Sequence, residues 1–271
     1  MSAALAARPR RRFAVPGVPG LPPLLACLGL LAVWEALSRW LGIDGLPSVE
    51  AAFAALPDLF ADPDFTLNSL DSIRRMVAGF AIALAVALPL GLAMGRSKAV
   101  AAFFNPLMMV IYPVPKAALM PLIMLWIGVG DGSKILVIVL GVSLPIIYHA
   151  YQGARAVEEK MLWSAAAMGL SAPARMARIV LPAALPEILV GCRTGIVLAL
   201  ITMVTSEMIA RQSGMGVVLF NALDMAQYDS VYAIILVIGA LGIALDVLFE
   251  LVRGALTGWA GTKPIVVVTQ A

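Results

Sequence analysis

Histidine and cysteine are nearly missing from this sequence: His149 is the only histidine, and Cys27 and Cys192 are the only cysteines. A protein-built metal centre takes three or four His, Cys or carboxylate ligands, and a triad takes a nucleophile, a base and an orienting acid. No acidic residue lies near His149 in sequence to begin such a set, so neither a metal site nor a catalytic residue is expected. Both cysteines lie within apolar runs, where cysteine is usually a small buried hydrophobe; their spacing leaves a disulfide open without suggesting one. Charge is scarce too, at 13% of residues with a net of +3, which gives no basic surface for nucleic acid. The glycine-rich run Gly128–Lys134 (GVGDGSK) lacks the G-x-x-x-x-G-K-[ST] spacing of a phosphate loop and follows no strand. It reads as an external turn, and any ATP hydrolysis must come from another chain.

What remains is apolar. Hydrophobic residues make up 62% of the chain and the mean hydropathy is +0.97, against roughly half apolar and a quarter charged in soluble domains. Lipid must therefore solvate most of the surface. The expected fold is an all-α membrane protein with six spans, a basic cytoplasmic tail at 1–23 and one transmembrane domain over 24–271, its core at 73–255.

Arg8, Arg10, Arg11 and Arg12 open the chain, ahead of a Pro/Gly-rich stretch. The segment 24–41 holds Glu35 and Arg39 and lacks a convincing cleavage site, so an uncleaved first span is favoured over a signal peptide. Residues 42–72 carry six acidic and no basic side chains, the mark of an external loop. Residues 76–95 are free of charge, and at 1.5 Å per residue such a run is roughly 30 Å long, one bilayer core. Gly79, Gly91 and Gly95 permit close helix contact there. Residues 99–130 contain one charge, Lys116, and are interrupted by Pro113, Pro115 and Pro121. A straight helix of that length would be roughly 48 Å, too long for one crossing, so a single broken span is expected. Further spans follow at 135–154, 186–209 and 230–253. Six crossings put both termini on one side, and the clusters Arg8–Arg12, Arg96/Lys98 and Arg155–Arg178 make that side cytoplasmic. Arg39, Arg74 and Arg75 fall at outer ends and fit this rule less well.

Between the fourth and fifth spans lies a polar interruption, residues 158–187. Met161, Leu162, Ala165 and Met168 have the spacing of one apolar helix face. Gly169 suits a left-handed helix stop, and Ser171 is placed to cap a second short helix carrying Arg175 and Arg178 and ending before Pro182. Gly169, nine residues, Ile179, one residue, then Leu181-Pro182 resembles the "EAA…G…I-LP" signature of ABC-importer permease subunits. In that family the loop is the coupling helix that docks on the ATP-binding subunit. The resemblance implies coupling roles for Trp163, Ala165, Gly169, Arg175, Arg178, Ile179, Leu181 and Pro182. Counted back from Gly169, the signature glutamate position holds Trp163, which suggests a more apolar contact, or a tryptophan packed on the permease or at the headgroups.

Further segments are similar to the nitrate/sulfonate/taurine branch over about residues 43–220: Leu46-Pro47-Ser48, Gly91–Ser97, Tyr112–Lys116, Leu125–Gly128, Leu181–Pro186, and Glu207 followed by Ser213–Gly216. This likeness implies a type I importer fold in the bacterial inner membrane. It also implies a second permease copy, ABC ATPase subunits that hold ATP and Mg, and a periplasmic solute-binding protein; this chain would bind no cofactor. For the solute path the candidates are Lys116, Pro113, Pro115 and Glu207. Lys116 either borders the cavity and attracts an anionic solute, or bonds carbonyls freed by the prolines, or snorkels to the interface. An ion-coupled secondary transporter is the alternative, against which stand charges at span ends and no internal repeat.

Overall fold

A computed structural model describes residues 21–260; residues 1–20 of the expected basic tail and the last eleven residues lie outside that range. Two compact units are distinguished, one reaching to Val49 and the other beginning at Glu50. In the first, α1 (Leu21–Leu41) keeps its only ion pair on one face, Arg39 Nε to Glu35 Oε1 at 2.6 Å. The chain that follows folds back onto the same helix. Trp34 Nε1 donates to the Pro47 carbonyl at 2.9 Å, Ser38 Oγ to the Leu46 carbonyl at 2.8 Å, and the Val49 amide to Glu35 Oε2 at 2.8 Å. Glu35 and Arg39 thus sit in an apolar segment already paired.

The short α2 (Val49–Ala54), which starts at the last residue of the first unit, and α3 (Leu56–Ala61) lead into α4 (Pro63–Arg96) of the second. Asp62 starts α4 by accepting from the Asp64 amide at 2.9 Å, and Pro63 sits where a missing N–H costs nothing. The helix begins well before the uncharged stretch at 76–95, because hydropathy marks membrane depth and says nothing of a helix that continues above it. After α5 (Lys98–Ile111) the chain breaks at the prolines, makes a short 3-10 turn over Lys116–Leu119, and resumes as α6 (Met120–Ile127). The two helices meet at 84°, so the broken span is bent nearly square.

The centre is α7 (Asp131–Ala156), packed between α4 and α10 (Leu181–Ala210). Small residues bring the backbones together, as membrane helices without a hydrophobic drive require. A Cβ on Gly91 would stand 2.6 Å from that of Ala150, and one on Gly95 2.5 Å from that of Ala154. α11 (Met215–Asp224) and α12 (Tyr228–Thr257) close the bundle, whose core buries Met94, Ile138, Ile146, Met203 and Ile234. Among the described residues, five helical segments are long and apolar enough to cross a membrane, and the bent pair makes six.

Between α7 and α10 run α8 (Glu159–Ala167) and α9 (Ala172–Arg175). Three expectations need correcting here. Of the apolar face, Leu162 and Ala165 are buried, whereas Met161 is 50% and Met168 73% exposed. Ser171 stands at the N-cap without a capping bond from its side chain. The second helix does not stop before Pro182: a π turn over Met176–Val180 carries it into α10. Pro182 has no N–H and would crowd the carbonyl four residues back. The wider turn relieves this, with the Leu181 amide bonding the Met176 carbonyl, five residues back.

Candidate functional site

At the bend of the broken span lies a cavity of about 560 Å³, walled by the α5–α6 break, α7 and α10. Pro113, Pro115 and Lys116 line it together with Tyr112, Tyr148 and His149, and Thr194, Thr202 and Thr205 face it from α10. Lys116 Nζ donates to the carbonyls of Ile111 at 2.7 Å and Tyr112 at 2.9 Å. These carbonyls end α5: Pro115, four residues beyond Ile111, has no amide to give, and Ile111 accepts only the Val114 amide at 3.2 Å from the backbone. Lys116 therefore closes the broken helix end and stands on the cavity wall at once. An ammonium group has three N–H donors, and the third has no protein acceptor among the described residues.

Glu207 lies elsewhere. It is fully buried near the C-terminal end of α10 and is not on the cavity wall. Arg75, 2% exposed, donates Nη1 to Glu207 Oε1 at 2.9 Å and Nε to Asp131 Oδ1 at 2.6 Å. Its Nη2 reaches Asp71 Oδ2 at 3.1 Å and also Ser213 Oγ. Arg74 pairs with Asp131 at 2.6 Å, and Lys134 Nζ donates to the Ser213 carbonyl at 2.9 Å. Arg74, Arg75 and Lys134 are thus balanced by Asp71, Asp131 and Glu207, so the two arginines that fit the expected positive-inside pattern poorly are neutralised where they stand.

The loop Ser213–Gly216 is built onto this cluster. Ser72 Oγ donates to Glu207 at 2.7–2.8 Å and accepts from the Met215 amide at 2.8 Å; the Gly216 amide donates to Glu207 Oε2 at 3.1 Å. The Gly214 amide donates to Asn68 Oδ1 at 2.6 Å. Gly214 has φ +118°, and a Cβ there would lie 2.0 Å from the Glu207 carboxyl carbon. Sequence reasoning marked Glu207 and the glycines but missed Ser72, Asn68 and Lys134, whose roles depend on helix contacts more than sixty residues apart.

On the opposite end of the bundle Gly169 takes φ +85°. The Gly169 amide bonds the Ala166 carbonyl at 2.9 Å and the Leu170 amide the Ala165 carbonyl at 3.0 Å, the two bonds of a Schellman stop. A groove of about 270 Å³ beside this turn is lined by Arg96, Glu159, Leu162, Trp163, Arg175 and Met176. Trp163 is 65% exposed, and Arg178 is exposed as well. Ile179 and Leu181 turn inward onto Leu162, Val180 and Ala184, and Pro182 stays exposed in the first turn of α10. Arg96 fastens the base, with Nη2 on Glu159 Oε1 at 2.6 Å. Farther along α10, Arg193 pairs with Asp246 at 2.7 Å and Glu250 at 3.2 Å, tying that helix to α12.

The chain is thus a helical bundle with a bent broken span, a cavity at the bend and, at the other end, an exposed loop that turns at Gly169. Comparison with known proteins gives the family. The profile described as "Binding-protein-dependent transport system inner membrane component" matches residues 76–257, and the chain belongs to that family of ABC-importer permeases. It is 32% identical over 205 residues to the taurine transport system permease protein TauC of Escherichia coli K12, covering 76% of this chain and 74% of that one. The nitrate import permease protein NrtB of Synechocystis is 27% identical over 233 residues, covering 83% and 84%. Among solved structures, the inward-facing MetNI methionine ABC transporter aligns with TM-score 0.61 at 12% identity, over 71% of this chain and 95% of that chain. The fold is the type I importer permease fold, and the relatives place the chain in the nitrate/sulfonate/taurine branch.

Proposed function

We propose that this chain is the membrane half of an ATP-driven importer that takes a small anion of the sulfonate, taurine or nitrate kind from a periplasmic binding protein and releases it into the cytoplasm. Two copies would enclose the path, each coupled through residues 158–187 to an ATPase subunit that holds ATP and Mg. ATP binding would close the ATPase pair, move both coupling loops and turn the path outward. The cavity at the bend carries this reading: its wall holds one cation, Lys116, with an N–H to spare, and no carboxylate. Trp163, Ala165, Gly169, Arg175, Arg178, Ile179, Leu181 and Pro182 form the coupling surface, in which Trp163 and Arg178 reach outward, Arg175 lies in the groove against the Leu162 carbonyl, and Ile179 and Leu181 brace the loop from within.

Uptake into proteoliposomes containing the permease, its ATPase and its binding protein tests the proposal. ATP-dependent accumulation of a sulfonate or of nitrate is expected. Lys116→Gln keeps N–H donors for the helix end, one atom shorter, but loses the charge, and a charged hydrogen bond contributes about 1.5–3 kcal/mol. That variant should therefore need about tenfold more solute for half-maximal uptake, with expression and thermal stability near normal. Unchanged uptake in a stable Lys116→Gln protein would refute the role of the cavity.

Orientation follows from the same reading. A label at Asp62 should react from outside the cell, and labels at Ser171 or a reporter fused after Ala271 only from the cytoplasm. Asp62 and Ser171 reacting from one side would overturn the arrangement.

A further inference from the structure

The lone histidine acquires in three dimensions the partner it lacks in sequence. His149 Nδ1 lies 2.7 Å from Glu187 Oε1, across the contact between α7 and α10. One turn further along α10 is Gly191, where a Cβ would come within 2.7 Å of the His149 Cβ and 2.9 Å of the Pro145 carbonyl. The Glu-x-x-x-Gly spacing thus clears a place for the ring and supplies the group that orients it. Glu187 is not on the cavity wall, whereas His149 is. A carboxylate only accepts hydrogen bonds, so the ring nitrogen facing it is the one that bears the proton. In the neutral ring the lone pair is then on Nε2, and no protein donor meets Nε2 among the described residues.

The threonines on the same wall point to the same polarity. Thr194 Oγ1 donates to the Val190 carbonyl at 3.1 Å, Thr202 Oγ1 to Leu198 at 2.6 Å, and Thr205 Oγ1 to Ile201 at 2.9 Å. Their protons are spent on their own helix, which leaves oxygen lone pairs for the cavity. The cavity therefore has two unlike sides. The break offers the spare N–H of Lys116; the α7/α10 wall offers acceptors and no negative charge.

We propose that His149, held by Glu187, is a specificity residue of the solute path: its Nε2 accepts a hydrogen bond from an amino or hydroxyl group on a small organic anion whose acidic end meets Lys116. Glu187 is a positioning residue that acts through the histidine. This deepens the importer reading and rests on it. It narrows the solute from any small anion to one carrying a donor group as well.

The binding protein has its own selectivity, so the test uses the permease–ATPase complex without it. With Cys27→Ser and Cys192→Ala in the background, Leu198→Cys places a single thiol on the cavity wall. Its reaction with a maleimide is timed against rising 2-aminoethanesulfonate and, separately, ethanesulfonate. The amino compound should protect at concentrations about tenfold lower, the effect of one well-made hydrogen bond. His149→Phe should bring the two probes to equal potency by weakening only the amino compound; His149→Gln, whose amide oxygen can accept, should restore part of the difference. Glu187→Ala should shrink the ratio while leaving ethanesulfonate protection as it was. Equal protection by both probes in the unaltered protein, or a ratio that survives His149→Phe, removes the assignment to His149 and leaves the importer reading standing. Protection by neither probe overturns the assignment and the cavity's role in the solute path together.

Discussion

Alanine in place of Gly214 will cost the protein most of its folded yield. The position has φ +118°, which L side chains rarely adopt, and the added carbon would lie 2.0 Å from the Glu207 carboxyl carbon. Neither side can yield cheaply. Glu207 is held by Ser72, Arg75 and the Gly216 amide, and the loop by Asn68, Ser72 and Lys134. Displacing the carboxylate takes from buried Arg75 one of its three acidic partners, with Asp71 and Asp131 remaining. Breaking a buried pair outright costs about 3–5 kcal/mol, and even part of that is a large share of the roughly 5–15 kcal/mol that holds a domain folded. Extracted yield and thermal unfolding in detergent measure this. Glu207→Ala should be damaging by itself, but the double variant should be less harmful than the sum of the two, since the clash disappears with the carboxylate. A Gly214→Ala protein that melts with the unaltered one would show that the loop is not built on Glu207.

Valine at Gly169 will act on coupling and spare insertion. Nothing lies within 4 Å of a Cβ at this site, so packing is not the obstacle; the φ of +85° is. A left-handed β-branched residue costs roughly 1–2 kcal/mol or more, and the turn would open, swinging α9 with Arg175 away from Trp163. The variant should reach the membrane in normal amount while ATP hydrolysis loses its dependence on the binding protein and solute. Gly169→Asn, a residue that tolerates this conformation, should retain most of the coupling. Trp163→Ala should also lower the yield of complex with the ATPase, as expected of an exposed aromatic anchor. Normal coupling in Gly169→Val would end the hinge interpretation.

Much of the bundle was legible in the sequence because lipid imposes a simple code. Uncharged stretches such as 76–95, and prolines such as Pro113 and Pro115 at a break, follow from the rule that backbone groups must be satisfied at depth. Even the choice facing Lys116 was visible, between bonding freed carbonyls and facing a cavity, and the side chain is placed to do both. Pairings were not legible. Arg75 and Glu207 are 132 positions apart, His149 and Glu187 are 38 apart, and only the register of α7 against α4 and α10 decides that they meet. The π turn at Met176–Val180 was hidden for another reason. Pro182 reads as a stop when one carbonyl is considered, and as a continuation when the helix can widen by one residue ahead of it.

That widened turn has a mechanical consequence. Because it preserves helical continuity, residues 172–210 form one rod of 39 residues, roughly 58 Å long at 1.5 Å per residue. Its N-terminal end carries Arg175 beside Trp163, its middle presents Thr194 and Thr202 to the cavity, and its C-terminal end holds Glu207 under the Ser213–Gly216 loop. A rod of that length tilted by about 5° about its midpoint moves each tip by about 2.5 Å, in opposite directions. Force applied at the coupling loop needs no relay of side chains to reach the far face. It arrives there as leverage, with the cavity wall near the fulcrum and the buried ion cluster close to the far tip.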